Sequence, residues 1–243
     1  MEKTKEDTIM ISGLQKMTLL DFPGKVACTV FLQGCNYRCP FCHNSDLLPG
    51  KGEEFMSEEA FIAFLERRRG LLDGVCVSGG EPTLYPGLQQ LLKAIKSLGY
   101  AVKLDTNGSR PEILKEVVRK GLVDYVAMDV KNSPARYAET VGLSRFDLGP
   151  TEESLRFLIG ENVDYELRTT VVKPLHDAAS IQDMGAWLGA LVPGKQPKRL
   201  FLQKFVDRES VLFAGLSAAL PDEMQQLSQL LAPFCVHVSV RGE

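Results

Sequence analysis

Residues 26–42 read VACTVFLQGCNYRCPFC, in which a mostly apolar run is followed directly by three closely spaced cysteines. The run from Val26 to Leu32 has the pattern expected of a strand buried on both faces of a parallel sheet. Cys35, Cys39 and Cys42 come just after this strand. In α/β folds with parallel strands, sites form at the carboxyl ends of the strands. This stretch therefore predicts a parallel α/β fold and places the chemistry beside its first strand.

Apolar runs and stretches of helical periodicity alternate along the chain up to about Phe205. Further strands are predicted at 74–78, 100–104, 123–130, 165–172 and 199–205, with helices beginning near 57, 85 and 111 and spanning about 152–159 and 181–191. Parallel strands need long crossover connections, which are usually right-handed and helical. Six such units predict an α/β fold of the partial (β/α)6 barrel type. A doubly wound sheet is the alternative, because periodicity does not show whether a sheet curls.

The length of 243 residues suits one domain with one substantial core. We predict a single domain over residues 1–243, with its core at about 26–205 and a C-terminal extension at 207–243. The extension contains a predicted helix at 222–231 and a predicted strand at 235–240. The periodicity of this extension does not indicate where it docks.

Charged residues are nearly balanced, with 28 basic and 31 acidic side chains and a net charge of -3. This balance predicts no binding to nucleic acid or to an anionic membrane surface. Residues 1–8 are charged and polar, unlike a signal peptide, and no apolar run is long enough to span a membrane. The sequence therefore predicts a cytoplasmic protein.

The six cysteines, at positions 28, 35, 39, 42, 76 and 235, are better explained by metal or redox chemistry than by disulfides. Three of them have C-x3-C-x2-C spacing. Three thiolates on one short loop can ligate three irons of a cubane cluster and leave the fourth iron open. The alternative is structural zinc, with Cys28, Cys76 or His43 as the fourth ligand. Cys28 and Cys76 also lie in predicted strands, where a buried thiol behaves as a small hydrophobe.

Polar segments follow the next three predicted strands. Ser78-Gly79-Gly80-Glu81-Pro82 follows the second strand, Asp105-Thr106-Asn107-Gly108 the third, and Asp129 and Lys131 close the fourth. Adjacent glycines let a ligand approach the backbone closely. Each segment alone is also consistent with an ordinary turn or a surface ion pair. Their recurrence on one rim of the sheet predicts a binding site there.

Arg168 lies on the fifth predicted strand, where alternation places it on the same face as Glu166 and Thr170. A buried guanidinium needs an anionic partner. That partner is either a cofactor carboxylate or a rim aspartate, or it is Glu166 in an ordinary ion pair. The three histidines, at positions 43, 176 and 237, form no catalytic pattern and are interpreted as structural or solvated.

The cysteine spacing, with Phe41 just before the last cysteine, resembles that of the radical S-adenosylmethionine (SAM) superfamily. The stretch G-C-N-Y-R-C-P-F-C-H-N is similar to the glycyl-radical-enzyme activases of that superfamily. Residues 13–16, 20–25, 72–74, 103–108 and 123–129 resemble the longer form of the activating proteins of anaerobic ribonucleoside-triphosphate reductase. The resemblance covers residues 13–205, which is most of the chain.

The resemblance implies a [4Fe-4S] cluster whose open iron is chelated by the methionine moiety of SAM. In that superfamily an electron from the cluster breaks the sulfonium bond, and the resulting 5′-deoxyadenosyl radical abstracts hydrogen from the substrate. The implied partners are a glycyl radical enzyme as protein substrate and a flavodoxin- or ferredoxin-like electron donor. A small-molecule substrate and a zinc-stabilised binding module without catalysis are the alternatives.

The resemblance also implies roles for individual residues. The segment with Gly79, Gly80 and Glu81 receives the amino group of the methionine moiety. Asp105, Asp129 and Lys131 lie around the methionine and ribose portions, and the two aspartates can hold a monovalent cation. The predicted cofactor-binding set is completed by Asn107, Arg168 and the rings of Tyr37 and Phe41, which either flank the adenine or pack in the core.

Overall fold

The computed structural model describes residues 10–48, 55–161 and 163–242. The chain divides into two compact units, which we call unit 1 (Met1–Asn36 and Asp46–Val126) and unit 2 (Tyr37–Ser45 and Ala127–Glu243). Residues 1–8, on which the absence of a signal peptide was predicted, lie outside the described residues. A single domain over the whole chain stays a prediction.

Unit 1 is built from βα units. Its elements are β1 (Ile11–Thr18), β2 (Ala27–Leu32), α1 (Glu58–Arg67), β3 (Gly74–Gly79), α2 (Leu88–Ser97), β4 (Ala101–Thr106), α3 (Pro111–Arg119) and the first two residues of β5 (Tyr125–Asp129). Strands β2, β3 and β4 pair in parallel, as the sequence predicts. Strand β1 pairs with β2 in antiparallel fashion and was not predicted, because its burial pattern is irregular and its exposed residues interrupt the apolar signal.

The helices of unit 1 begin and end where local signals place them. The Ser57 hydroxyl accepts a hydrogen bond from the backbone of Ala60 and caps α1. Leu88, Leu91, Leu92 and Ile95 of α2 are buried, which accounts for their spacing of three and four residues. Gly99 follows α2 with φ of 90°, a conformation that favours glycine. These elements carry the strand ends on which the predicted site residues lie.

Unit 2 continues the alternation. Its elements are the last three residues of β5, α4 (Tyr137–Thr140), α5 (Gly149–Gly160), β6 (Tyr165–Lys173), α6 (Ala178–Ala190), β7 (Leu200–Lys204), β8 (Ser217–Ala218), α7 (Pro221–Leu231) and β9 (Val238–Arg241). Strand β7 pairs in parallel with both β6 and β9, and β8 pairs with the end of β6 in antiparallel fashion. The short α4 and β8 were not predicted, because each is too brief to show a period.

The C-terminal extension, whose position the sequence left open, docks on unit 2. Its strand β9 extends the parallel pairing of β7, and Phe234 packs against Gly185 of α6, where a Cβ would lie 2.6 Å from the phenylalanine ring. The Arg241 guanidinium donates two hydrogen bonds, of 3.0 and 2.8 Å, to the Glu166 carboxylate. It also lies 3.3 Å from the centroid of the Phe201 ring.

Among the described residues, none of the helices combines the length and apolar character that crossing a bilayer requires.

Candidate functional site

The segment that leads into the cysteine motif is held by the glycine-rich segment after β3. Gly80 N donates to Leu32 O (2.8 Å), and Glu81 N donates to Gly34 O (2.7 Å). A Cβ on Gly80 would lie 1.7 Å from the carbonyl oxygen of Gly34, and a Cβ on Gly79 would lie 2.2 Å from that of Leu32. Both positions therefore require glycine, because main chain packs against main chain here. This packing fixes the start of the cysteine segment, and a further role of these glycines toward a ligand stays a prediction.

Glu81 is fully buried within unit 1. Its Oε1 accepts hydrogen bonds from the backbone N–H of Thr83 (3.1 Å) and from the hydroxyls of Thr83 (2.5 Å) and Thr106 (2.8 Å). Its Oε2 accepts from the backbone N–H of Asn107 (2.6 Å). Burial raises the pKa of Glu81 above its ordinary value, although these hydrogen bonds act in the opposite direction. Because its donors come from the segments after β3 and β4, the carboxylate joins two of the predicted rim segments.

The side chain of Asn107 contacts the cysteine segment. Its Nδ2 donates to Asn36 Oδ1 (2.9 Å) and lies 3.9 Å from Cys35 Sγ. Its Oδ1 accepts from Ser109 N (2.9 Å), which fixes the amide orientation. Hydrogen bonds to cysteine sulfurs are one of the determinants of iron–sulfur reduction potentials. The structure thus brings two predicted site residues, Cys35 and Asn107, into contact within unit 1.

Asp105 is held at both carboxylate oxygens. Ser78 Oγ donates to Oδ2 (3.0 Å), and the Lys103 ammonium forms an ion pair with Oδ1. The exposed fraction of the side chain is 14% for Asp105 and only 1% for Lys103. Sequence reasoning missed Lys103, although its position two residues before Asp105 on the same strand was a usable signal.

In unit 2, Cys39 and Cys42 lie on one turn, which is closed by a hydrogen bond from Cys42 N to Cys39 O (3.1 Å). The preceding residue, Arg38, donates its backbone N–H to Val141 O (2.8 Å). A Cβ on Gly142 would lie 2.2 Å from Arg38 O, and Gly142 has φ of 69°. The cysteine turn is therefore fastened to the end of α4. Sequence reasoning missed this anchor, because nothing in the local pattern links Gly142 to a residue so distant in the chain.

The two aromatic residues of the cysteine segment are buried in unit 2. The Tyr37 hydroxyl lies 3.4 Å from Thr151 Oγ1, and its ring packs edge-on against Phe146. Phe41 packs edge-on against the ring of His176. These contacts account for both rings as core packing. A role beside an adenine stays a prediction.

Asp129 carries two cationic neighbours in unit 2. Lys131 Nζ lies 3.0 Å from its Oδ2, and Arg168 Nε lies 2.9 Å from its Oδ1. Burial alone would lower the pKa of Lys131, but the charge of Asp129, followed by those of Cys39 and Cys42, raises it above its usual range. The predicted residues of unit 2 are thus electrostatically coupled to one another.

Arg168 pairs with the rim aspartate Asp129. The sequence left a cofactor carboxylate, a rim aspartate and Glu166 open as partners, and Glu166 pairs with Arg241 of the C-terminal extension. The sequence pattern did not indicate the pairing of Glu166 with Arg241, because the docking position of the extension was not predictable. Arg168 therefore lies with Asp129 and Lys131 in the predicted set.

Two of the three histidines, His176 and His43, have hydrogen-bond partners within unit 2. His176 is buried, donates from Nε2 to Lys131 O (2.7 Å) and accepts at Nδ1 from Val172 N (3.2 Å). Burial lowers the pKa of His176 below its ordinary value of 6.5. The ring of His43 lies 2.7 Å from Val206 O through Nε2, and burial lowers its pKa as well. The interpretation of these histidines as structural agrees with these contacts.

None of the six cysteines, all of which lie in the described residues, forms a disulfide. Cys28, Cys76 and Cys235 are buried, and burial raises the pKa of Cys28 and of Cys235 to about 12. Within residues 10–48, 55–161 and 163–242, no three His, Cys, Asp or Glu side chains are close enough to hold a single metal ion. A cubane cluster does not need such a group, because its cysteine ligands bind different irons.

The sequence profile of the Radical SAM superfamily matches residues 29–178. The matched region covers the cysteine motif and the rim segments of both units. The chain belongs to the radical SAM superfamily. It is accordingly an enzyme of the class that uses a [4Fe-4S] cluster and S-adenosylmethionine.

Relatives of known name point to a narrower group. A Methanocaldococcus jannaschii protein named "Putative glycyl-radical enzyme activating enzyme MJ1227" is 30% identical over 96% of this chain and 95% of its own length. A pyruvate formate-lyase-activating enzyme of Clostridium pasteurianum is 34% identical over 50% of this chain and 52% of its own length. The chain is therefore a homologue of glycyl-radical enzyme activating enzymes. The resemblance to the activators of anaerobic ribonucleoside-triphosphate reductase in particular is not confirmed by these relatives.

Solved structures share the fold. Streptococcus suis SuiB bound to S-adenosylmethionine matches with a TM-score of 0.67 and 12% identity, over 86% of this chain and 48% of that one. QueE from Escherichia coli matches with a TM-score of 0.55 and 16% identity, over 97% of this chain and 95% of that one. The predicted α/β fold with a parallel-strand sheet of the partial-barrel type is thereby confirmed.

Proposed function

We propose that this protein generates a glycyl radical on a partner enzyme by reductive cleavage of S-adenosylmethionine. The observation that carries the proposal is the end-to-end similarity to a relative named as a glycyl-radical enzyme activating enzyme. The contacts of the predicted residues support it. In unit 1 an amide is directed at Cys35, and in unit 2 a lysine is coupled to Cys39 and Cys42.

The proposed cluster ligands are Cys35, Cys39 and Cys42. The donor set fits, because three thiols without a fourth cysteine on the same loop leave one iron open to a small ligand. Lys131 places positive charge near Cys39 and Cys42, and the Asn107 amide supplies a hydrogen bond donor for the sulfur of Cys35. When bound, the cluster and SAM supply a carbon radical reactive enough to take hydrogen from an unactivated carbon.

The chain's own residues orient the cofactor in this proposal. Lys131 and Arg168 present positive charge to the carboxylate of the methionine moiety, while Asp129 keeps the two cations in place. The remaining proposed contacts are those of the predicted set, namely Gly79, Gly80, Glu81, Asp105 and Asn107, with Tyr37 and Phe41 near the adenine and a monovalent cation at the aspartates. Because Glu81 is buried under four hydrogen bonds, its proposed contribution is to position its neighbours.

The proposed protein substrate is anaerobic ribonucleoside-triphosphate reductase, on the motifs at 20–25, 103–108 and 123–129. A pyruvate formate-lyase type of glycyl radical enzyme is the second candidate, which the similarity to pyruvate formate-lyase-activating enzymes favours. The proposed electron donor is a flavodoxin- or ferredoxin-like protein. The proposed site of action is the cytoplasm.

The cluster ligands are tested on anaerobically reconstituted protein. Cys35→Ala, Cys39→Ala and Cys42→Ala are each expected to lose most of the iron and acid-labile sulfide and to form no 5′-deoxyadenosine with dithionite and SAM. Cys235→Ala is the matched control, because Cys235 is buried and its thiol is held protonated by a pKa of about 12. Loss of the cluster in the control but not in the three variants contradicts the ligand assignment.

The partner is tested by electron paramagnetic resonance. The holoenzyme is incubated without oxygen with SAM, reductant and either a purified anaerobic ribonucleotide reductase or a purified pyruvate formate-lyase. A glycyl radical signal on one of the two identifies the type of partner. Formation of 5′-deoxyadenosine without a radical on either protein rejects the activase assignment and favours a small-molecule substrate. Zinc in place of iron and sulfide rejects the radical chemistry altogether.

A further inference from the structure

Lys103, in strand β4, is a lysine with only 1% of its side chain exposed. Lysines are almost never fully buried unless their charge is paired. Removing an ammonium group from water is costly, and the cost must be met by neighbouring groups. A fully buried lysine in unit 1 therefore needs an explanation in its contacts.

The side chains that contact Lys103 lie on one face of strands β3 and β4, toward the carboxyl ends of these strands. The parallel register of β3 and β4 sets Cys76 opposite Lys103, and Lys103 Nζ lies 3.7 Å from Cys76 Sγ. Side chains two residues apart on a strand share a face. Asp105 is therefore above Lys103 on β4, as Ser78 is above Cys76 on β3. The Lys103 ammonium pairs with one carboxylate oxygen of Asp105, and the Ser78 hydroxyl donates to the other.

The two partners of this ion pair differ in exposure. The side chain of Asp105 is 14% exposed, whereas that of Lys103 is 1% exposed. Solvent and salt screen a buried charge much less than an exposed one. The negative charge of the Asp105 carboxylate is thus balanced by the Lys103 ammonium. The orientation of the carboxylate is set by Lys103 on β4 and Ser78 on β3.

We infer that Lys103 is a positioning residue, whose buried ammonium fixes the orientation and balances the charge of Asp105 for binding S-adenosylmethionine. This inference rests on the proposed function. Lys103 supplies positive charge to Asp105 from within the chain, in addition to the monovalent cation proposed at the aspartates.

The test measures SAM affinity of the anaerobically reconstituted holoenzyme by equilibrium dialysis, together with iron and sulfide content. Lys103→Met keeps the volume and removes the charge, and Lys103→Ala also opens space beside Asp105. We expect both variants to retain the cluster and to bind SAM roughly 10- to 100-fold more weakly, the range typical when a group supporting a ligand-binding residue is removed. Cys76→Ala, which leaves the Lys103–Asp105 pair intact, is expected to stay within about twofold of wild type, because a thiol is only a weak hydrogen bond partner.

Chemical rescue separates a positioning role from a merely structural one. Added propylammonium should restore most of the SAM affinity of Lys103→Ala, but not that of Lys103→Met, where the methionine side chain fills the space. Tetramethylammonium at the same ionic strength should restore neither. Absence of rescue by propylammonium, or SAM affinity equal to wild type in both variants, overturns the inference.

A double variant keeps the inference testable if the single variants do not fold. Lys103→Met combined with Asp105→Asn removes both charges and leaves no buried charge without its partner. If Lys103 acts through Asp105, the double variant binds SAM as Asp105→Asn alone does, and a clearly weaker double variant overturns the inference. A wild-type holoenzyme that binds no SAM rejects the proposed function instead, whereas a normal wild type with unaffected Lys103 variants rejects only the role of Lys103.

Discussion

The candidate residues of unit 1 and unit 2 are stabilised in different ways. In unit 1 Glu81 is fully buried and held by neutral backbone and hydroxyl donors from its own and the neighbouring segment. In unit 2 Asp129 is 29% exposed and held by the charges of Lys131 and Arg168. Buried neutral donors fix geometry, whereas partly exposed charges retain the ability to exchange partners with an incoming ligand. The Glu81 network of unit 1 is thus arranged for position, and the ion pairs of Asp129 in unit 2 for charge.

Carboxylate residues of the predicted rim thus serve two purposes. Glu81 holds neighbouring segments in position, and Asp129 holds cationic side chains. A substitution in the buried network should mainly lower the free energy of unfolding. A substitution among the exposed charges should mainly lower cofactor affinity. Four substitutions or conditions, ordered by their expected effect on the free energy of unfolding of the cluster-free protein, test the distinction.

The largest effect is expected for Glu81→Ala. This change leaves the backbone N–H groups of Thr83 and Asn107 without their acceptor, and each such buried donor costs about 1–3 kcal/mol. We expect the free energy of unfolding to fall by about 2–6 kcal/mol in urea titrations under reducing conditions. Glu81→Gln should lose about 1–3 kcal/mol, because each carboxylate oxygen faces a backbone N–H and an amide can accept only one of them. A Glu81→Gln protein as stable as wild type contradicts this account.

The second effect concerns the other buried glutamate, Glu166 of unit 2, which is paired with Arg241 of the C-terminal extension. Arg241→Ala removes two hydrogen bonds to a buried carboxylate and the cation over the Phe201 ring. We expect a loss of about 1–3 kcal/mol, below the value for a fully buried pair because the arginine side chain is 36% exposed. Arg241→Lys should recover part of the loss, since it keeps the charge but not the bidentate geometry. Unchanged stability of Arg241→Ala indicates that the extension docks through α7 and β9 alone.

The third effect is a pH dependence in unit 2. Burial lowers the pKa of His176 below 6.5 in the folded protein, so the unfolded chain takes up a proton first as the pH falls. The contribution of His176 is present above pH 6.5 and declines as the pH falls from 6.5 toward the lower folded pKa, by about 1.4 kcal/mol per pH unit at most. His176→Gln should flatten this part of the curve, while His43, whose pKa is also lowered, keeps its own contribution. The free energy of unfolding is measured against pH between about 7.5 and about 5.5. Identical slopes for wild type and His176→Gln contradict the expectation that the buried His176 ring is neutral in the folded protein.

The smallest effect on stability is expected for Asp129→Asn. Its ion pairs involve side chains that are 15–29% exposed, and the asparagine oxygen can still accept a hydrogen bond from one of the two cations, so the change should cost about 1 kcal/mol. The SAM affinity of the holoenzyme should nevertheless fall roughly 10- to 100-fold, because Lys131 and Arg168 lose the group that orients them. Equilibrium dialysis and urea titration of the same preparation measure both quantities. A large loss of stability with normal SAM affinity would show that Asp129, like Glu81, mainly stabilises the fold, and contradicts the distinction drawn between them.

Much of the fold was predictable from local patterns. The strands at 74–78 and 165–172 and the helices beginning at Ser57 and Pro111 were recognised within a few residues of their actual bounds, because periodicity and capping signals are local. Strand β1 was not predicted, because its pairing with β2 rather than its own sequence pattern makes it a strand. The sequence left three partners open for Arg168, namely a cofactor carboxylate, a rim aspartate and Glu166, and the tertiary structure shows an ion pair with Asp129.

The amino-acid sequence by itself determined the cysteine motif, the order of the βα units and the recurrence of polar residues after successive strands. These features depend on the spacing of residues that are neighbours in the chain. Only the tertiary structure decided that Lys103 is buried beside Cys76, that Glu81 is held by Asn107, and that Arg241 reaches Glu166 across 75 residues. The partner of a buried charge is whatever the fold brings within a few ångströms, and no local period in the sequence encodes that distance.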